Sequence, residues 1–216
     1  MNKRTPLQPQ RGFTLVELSI VLVIIGLIIG GVLTGQQIIQ NARVTNAINS
    51  VQSYQAQFQT YAQNYGLMPG DDSSAPSRFP NSSLTKSDIG NGNGVIATSN
   101  ADSITTPANE HLLVWAHMRA AGLIKNQVSK GSSAVQPPNP FNGIYSFQTG
   151  AFDGVFVTTV LCMNNVSSDA ALAIDTRLDD GVINSGSIQS TSGLVSAAIA
   201  DTGYQSGSTY TLCIRI

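Results

Sequence analysis

The sequence predicts an α+β protein, a long amino-terminal helix lying against an antiparallel sheet, on three observations. Apolar residues recur at steps of three and four from the amino-terminal region as far as Tyr65. From Gly143 the period drops to two, in GIYSFQT, GVFVTTVLCM and the final TYTLCIRI. Between these blocks lies a polar segment rich in Ser, Asn, Gly and Pro. A helical block followed by a run of strands segregates helices to one face of a sheet.

Residues 12–35, GFTLVELSIVLVIIGLIIGGVLTG, open the helix. From Leu18 to Ala42 no side chain is charged, and a run of that length exceeds the roughly 20 apolar residues a helix needs to cross a bilayer. Lys3, Arg4 and Arg11 lie before Gly12 and no acid does, which places the amino terminus in the cytoplasm and the rest of the chain outside, as a single span. Glu17 is the anomaly. An acid within a span costs about 2.5–3.5 kcal/mol on insertion scales, so it marks a functional site whose partner has to be found. A secretory signal has an apolar region of about 7–15 residues followed by a small-residue cleavage site. Here the run is longer and continues into Gln-rich helix without an A-x-A.

A short basic leader ending in Gly12, followed by FTLVEL and an aliphatic run, resembles the class III signal of type IV pilins and type II secretion pseudopilins. The resemblance implies that a membrane aspartyl peptidase cuts after Gly12, that the new amino-terminal residue Phe13 is N-methylated, and that Glu17 serves assembly. It also implies three sections: a leader at 1–12, a transmembrane and assembly half-helix at 13–40, and an exported pilin-like domain at 41–216. The implied partners are copies of the chain and other pilins, the prepilin peptidase and methylase, and an inner-membrane assembly machinery. Many type IV pilins carry Pro where this chain has Thr34, which leaves a helix break in the filament open.

Charged residues make up only 11% of the chain and the formal net charge is −1. Loss of the leader removes three basic residues and no acid, so no basic stripe is left to neutralise phosphates, and nucleic acid is excluded as a partner.

Beyond the span, Val44, Ala47, Ile48, Val51, Tyr54, Phe58, Tyr61, Ala62 and Tyr65 continue the helical stripe, with Gln and Asn between them for solvent or neighbouring subunits. One helix from near Phe13 to Tyr65 would be about 80 Å long at 1.5 Å per residue. Gly66 ends it, with Pro69 and Gly70 blocking continuation. The segment from Leu67 to Thr105 exceeds ordinary loop lengths, and the pilin resemblance implies a variable surface there. Its PGDD (69–72) and DIGNGNG (88–94) read as tight turns, with Asp88, Asn91 and Asn93 as Asx-turn formers. They lack the ligand spacing and closing Glu of an EF-hand. Asp175, Asp179 and Asp180, at the end of a short helix beginning near Ser168 and stopping at Gly181, are a second acidic group considered for calcium. Some pseudopilins similar to this chain hold calcium in a carboxy-terminal loop, so calcium stays possible without assigned ligands; no other cofactor is called for.

TPANEHLLVWAHMRAAGLI predicts a second helix, capped by Thr106, with Pro107 at its first position and Gly122 as terminator. Leu112, Trp115, Ala116 and Ala120 share a face for the sheet, whereas Glu110, Arg119 and Lys125 face out. His111 and His117, six residues apart, do not form the i, i+4 pair of a zinc site and read as surface or partly packed residues.

QPPNP (136–140) cannot enter a central strand and marks the approach to the sheet. Cys162 and Cys213 each fall in an expected strand on the exported side, where the oxidising compartment favours a disulfide over two buried thiols. No nucleophile elbow, P-loop lysine, C-x-x-C or H-E-x-x-H occurs, which argues against an enzyme. The reading is therefore a structural filament subunit. A secretion pseudopilin is the alternative within the resemblance, and a monomeric membrane-anchored binding module using the 67–105 segment is the alternative outside it.

Overall fold

The computed structural model describes residues 12–96, 110–125 and 136–216. It divides into two units, Met1–Ala42 and Arg43–Ile216, which share helix α1 (Leu15–Tyr65). Within the first unit α1 is apolar and uncovered: Leu15, Val16, Leu18, Leu22, Leu27 and Leu33 are all more than half exposed. This stretch is long and apolar enough to cross a membrane, and none of it is buried, unlike the core helix of a soluble protein. The residues around Thr34 are helical, with the Thr34 hydroxyl donating to the Gly30 carbonyl at 3.0 Å.

In the second unit the same helix becomes amphipathic, and Val44, Ala47, Val51, Phe58 and Tyr61 enter the core at steps of three, four and seven. Gly66, with φ +70°, takes the left-handed conformation that stops it. The stripe packs on a four-stranded antiparallel sheet of β1 (Tyr145–Ala151), β2 (Phe156–Ser167), β3 (Ile188–Thr191) and β4 (Thr209–Arg215), in the order β1-β2-β4-β3. One sheet face contributes Tyr145, Phe147, Leu161, Met163, Leu212 and Ile214 to the main core. Phe58 stacks on Phe147 at 4.9 Å, and Tyr54 meets the Trp115 ring edge-on at 5.0 Å. This is the α+β arrangement expected from the change of period, and the pilin-like layout that the resemblance implies.

Both sheet edges are occupied, which removes the hazard of open strands. On β1 the Tyr145 amide donates to Pro137 and the Thr149 amide to Ile96; on β3 the Ser190 amide donates to Ile183. The second sheet face carries Val160, Cys162 and Cys213 under Phe152, Phe156 and Val195. Cys162 and Cys213 are direct cross-strand partners and are joined by a disulfide, Cα–Cα 4.0 Å, across 51 residues. In the chain-entropy view a closure of that span stabilises by about 4 kcal/mol.

Helix α3 (Glu110–Ala120) ends in a Schellman motif: the Gly122 amide donates to Arg119 and the Leu123 amide to Met118. Thr106 and Pro107 lie outside the described residues. The surroundings of α3 correct two expectations. His111 and His117 are both fully buried, and Glu110 is 8% exposed rather than facing out. The reason is a second cover. Residues 67–96, which include the short helix α2 (Ala75–Arg78), fold back over the side of α3 that the apolar pattern left to solvent. Gly70 lies so close that an added Cβ would stand 2.7 Å from the Glu110 carbonyl. Strand β3 is a further element the period did not reveal, and α4 (Ser168–Leu178) packs Ala170, Ala171 and Ile174 into the main core.

Burial disfavours the charged form of both histidines. Burial of His111 lowers its pKa from 6.5 to about 4, and neither ring nitrogen finds a hydrogen-bond partner among the described residues. His117 is also lowered by burial, opposed by its bond to the Asp88 carbonyl. Between the unfolded value of 6.5 and the lower native one, the unfolded chain binds a proton that the folded chain refuses, so stability falls as pH falls, by about 1.4 kcal/mol per pH unit for each such group. His111→Leu is therefore expected to shrink the stability difference between pH 7.5 and pH 5 by about 2 kcal/mol, read from denaturant midpoints at the two pH values. An unchanged difference would mean that His111 titrates normally.

Candidate processing and assembly site

The first turn of α1 is built by its own side chains. The Thr14 amide and hydroxyl both donate to Glu17 Oε2 at 2.8 Å, and the Glu17 amide donates to Thr14 Oγ1 at 3.3 Å. This is a reciprocal capping box, Thr at the cap and Glu three residues on, which satisfies helix-end amides and fixes the carboxylate. A negative side chain in the first turn also complements the helix dipole. Sequence reading singled out Glu17 but missed Thr14, although the T-x-x-E signature stood directly before the apolar run.

Glu17 is exposed, and no protein donor within the described residues reaches its Oε1. The carboxylate is thus held in place through one oxygen, Oε2.

Gly12 and Phe13 lie immediately before the helix, and Phe13 is 83% exposed. A Cβ built on Gly12 meets nothing within 4 Å. The fold therefore places no demand for glycine there. The same holds at Gly26, Gly30, Gly31 and Gly35, which leave room for the close approach of another helix.

The acidic groups considered for calcium are largely engaged as internal acceptors. Oxygens of Asp175, Asp179 and Asp180 lie within 4.8 Å of one another. Asp175 accepts from the Gly181 amide and the Tyr204 hydroxyl, Asp179 from the Ile188 amide, and Asp180 from the Val182 amide and Ser185 hydroxyl. Burial raises the Asp175 pKa, whereas the Ser185 and Val182 bonds lower that of Asp180. In the other group, Asn91 accepts from the Asn93 amide and Asn93 from the Val95 amide, both as Asx turns, and Asp88 accepts from the Thr85 amide. The organiser of that loop, Asp71, escaped sequence reading. Its buried carboxylate accepts from the amides of Gly92, Asn93 and Gly94 at 2.7–3.0 Å. Beside it, buried Asp72 receives the Tyr61 hydroxyl at 2.8 Å and pairs with Arg78 at 3.3 Å.

Residues 7–33 match the family model described as the prokaryotic N-terminal methylation motif. No curated protein and no solved structure matches the chain. The match begins inside the leader and covers Arg11, Gly12, Phe13, Glu17 and the apolar run as far as Leu33, so the chain carries the class III signal of type IV pilin and pseudopilin precursors.

Proposed function

We propose that the chain is a structural subunit of a type IV pilus-like filament, assembled from the inner membrane through α1. The observation that carries this reading is a methylation-motif helix whose apolar residues find no cover among the described residues and whose first turn holds an exposed carboxylate. The reading divides the chain into a leader at 1–12, a transmembrane and assembly half-helix at 13–40, and an exported domain at 41–216. Prepilin peptidase cuts after Gly12, and Phe13 becomes a methylated amine. In hydrocarbon that amine and Glu17 each need an opposite charge. When the amine of one subunit meets Glu17 of the next, the pair fixes axial register while apolar helix packing supplies cohesion. The chain acts on no substrate in this account, and its partners are copies of itself, other pilins and the assembly machinery. The cluster Asp175, Asp179 and Asp180 favours a second reading, a pseudopilin of type II secretion with a carboxy-terminal cation loop. Sheared cell-surface material separates the two, because a pilus subunit is released there at its processed size and a periplasmic pseudopilin is not.

Two substitutions test the reading. Gly12→Val leaves the fold untouched, since a side chain there meets open space, yet it should block cleavage because the peptidase must fit the residue before the cut. Amino-terminal mass spectrometry is expected to find only full-length precursor in the membrane, and normal trimming would contradict the processing site. Glu17→Leu should insert at least as well as the native chain and still be cleaved. In cells where it is the only copy it should be absent from filaments, because an unpaired buried amine costs about 3–5 kcal/mol. Mature Glu17→Leu protein entering filaments at the native level would refute the pairing.

A further inference from the structure

The DIGNGNG turn contains two of the three Asn–Gly pairs in the chain, Asn91–Gly92 and Asn93–Gly94, and all four of these residues are exposed. Asn–Gly is the pair most prone to spontaneous deamidation, because glycine puts no side chain in the way. The glycine nitrogen attacks the asparagine Cγ and gives up its proton to solvent base. The new N–C bond closes a succinimide, the side-chain nitrogen leaves as ammonia after taking a proton from water, and a second water opens the imide to aspartate or isoaspartate. Water reaches both pairs freely here, so exposure does not protect them.

We propose that Asn91 and Asn93 are latent deamidation sites held unreacted by Asp71. The attacking groups would be the backbone nitrogens of Gly92 and Gly94, and these are the amides the Asp71 carboxylate engages: Gly92 N–H donates to Oδ1 at 2.7 Å and Gly94 N–H to Oδ2 at 2.7 Å. Attack needs each nitrogen to lose its proton. A carboxylate at hydrogen-bond distance opposes that loss, since it places negative charge beside the forming anion. The electrophiles are held as well, because Asn91 Oδ1 accepts from the Asn93 amide and Asn93 Oδ1 from the Val95 amide, both at 2.9 Å. Asp71 cannot drift from this position. It is 2% exposed, and Gly90 lies against its backbone with no room for a Cβ. The Asn91 amide ties the same turn to Glu110 at 3.0 Å. The third pair, Asn142–Gly143, is held differently: Gly143 is buried and its N–H donates to the neutral Asn139 Oδ1 at 3.0 Å.

The test compares the detergent-solubilised full chain with a synthetic peptide of residues 87–96 in mildly alkaline buffer, following Asn-to-Asp and isoaspartate conversion by peptide mapping. Breaking a charge-assisted hydrogen bond before attack slows a reaction about ten- to a hundredfold, so Asn91 and Asn93 should convert at least that much more slowly in the chain than in the peptide. In Asp71→Ala both should approach the peptide rate while Asn142, held by Asn139, stays slow and reports that the domain is still folded. Asp71→Asn, which keeps an acceptor but loses the charge, should fall between. Conversion of native Asn91 and Asn93 at the peptide rate overturns the proposal, and so does an Asp71→Ala chain in which both remain slow. If Asn142 accelerates together with them, Asp71→Ala has lost the fold, and the native-to-peptide ratio and Asp71→Asn decide by the same criteria.

Discussion

A half-helix of aliphatic residues that finds no cover among the described residues constrains everything else about this protein. From Leu15 to Ile39 the large side chains of α1 are exposed, and that surface is stable only in lipid or against other apolar helices. Within such surroundings a carboxylate is tolerable if it is held and paired. Thr14 does the holding, through the capping box, and uses only one carboxylate oxygen. The other is left for a partner, which the proposed account supplies as the amine created at Phe13. In the proposed account, one turn of helix joins helix capping to assembly chemistry.

The second unit solves a different problem, that of a domain with few charges and many small polar residues. Its main core is apolar and aromatic, but the cover over α3 is held by buried acids. Asp71 gathers three backbone amides, Asp72 takes the Tyr61 hydroxyl and Arg78, and His117 accepts from the Gly70 amide at 3.0 Å while bonded to the Asp88 carbonyl at 2.9 Å. Buried acceptors that receive several backbone donors stabilise an irregular segment which has no ladder of its own. They also explain why loops rich in Asp and Asn do not by that composition mark a cation site: here most of their oxygens already receive protein N–H and O–H groups.

Periodicity made most of the fold legible. The stop at Gly66, the Gly122 terminator and strands β1, β2 and β4 all follow from apolar spacing and glycine punctuation. Strand β3 did not, because Ile188–Thr191 is buried at all four positions and so shows no alternation. The burial of Glu110, His111 and His117 was equally hidden. A helical pattern reveals one apolar face, and the second face of α3 is covered through hydrogen bonds from residues far away in sequence. At the candidate site the acid in the span was conspicuous by its cost. Thr14 was not, since a threonine before a helix is ordinary until its partner is seen.

The central claim, that the Phe13 amine of one subunit pairs with Glu17 of another, is tested most directly by imaging native filaments at side-chain resolution. The account predicts this chain as a repeating subunit, trimmed before Phe13, with the amine of one copy within about 4 Å of the Glu17 carboxylate of a neighbour. Filaments containing the chain in which Glu17 meets no amine, or in which the leader is still attached, would contradict it.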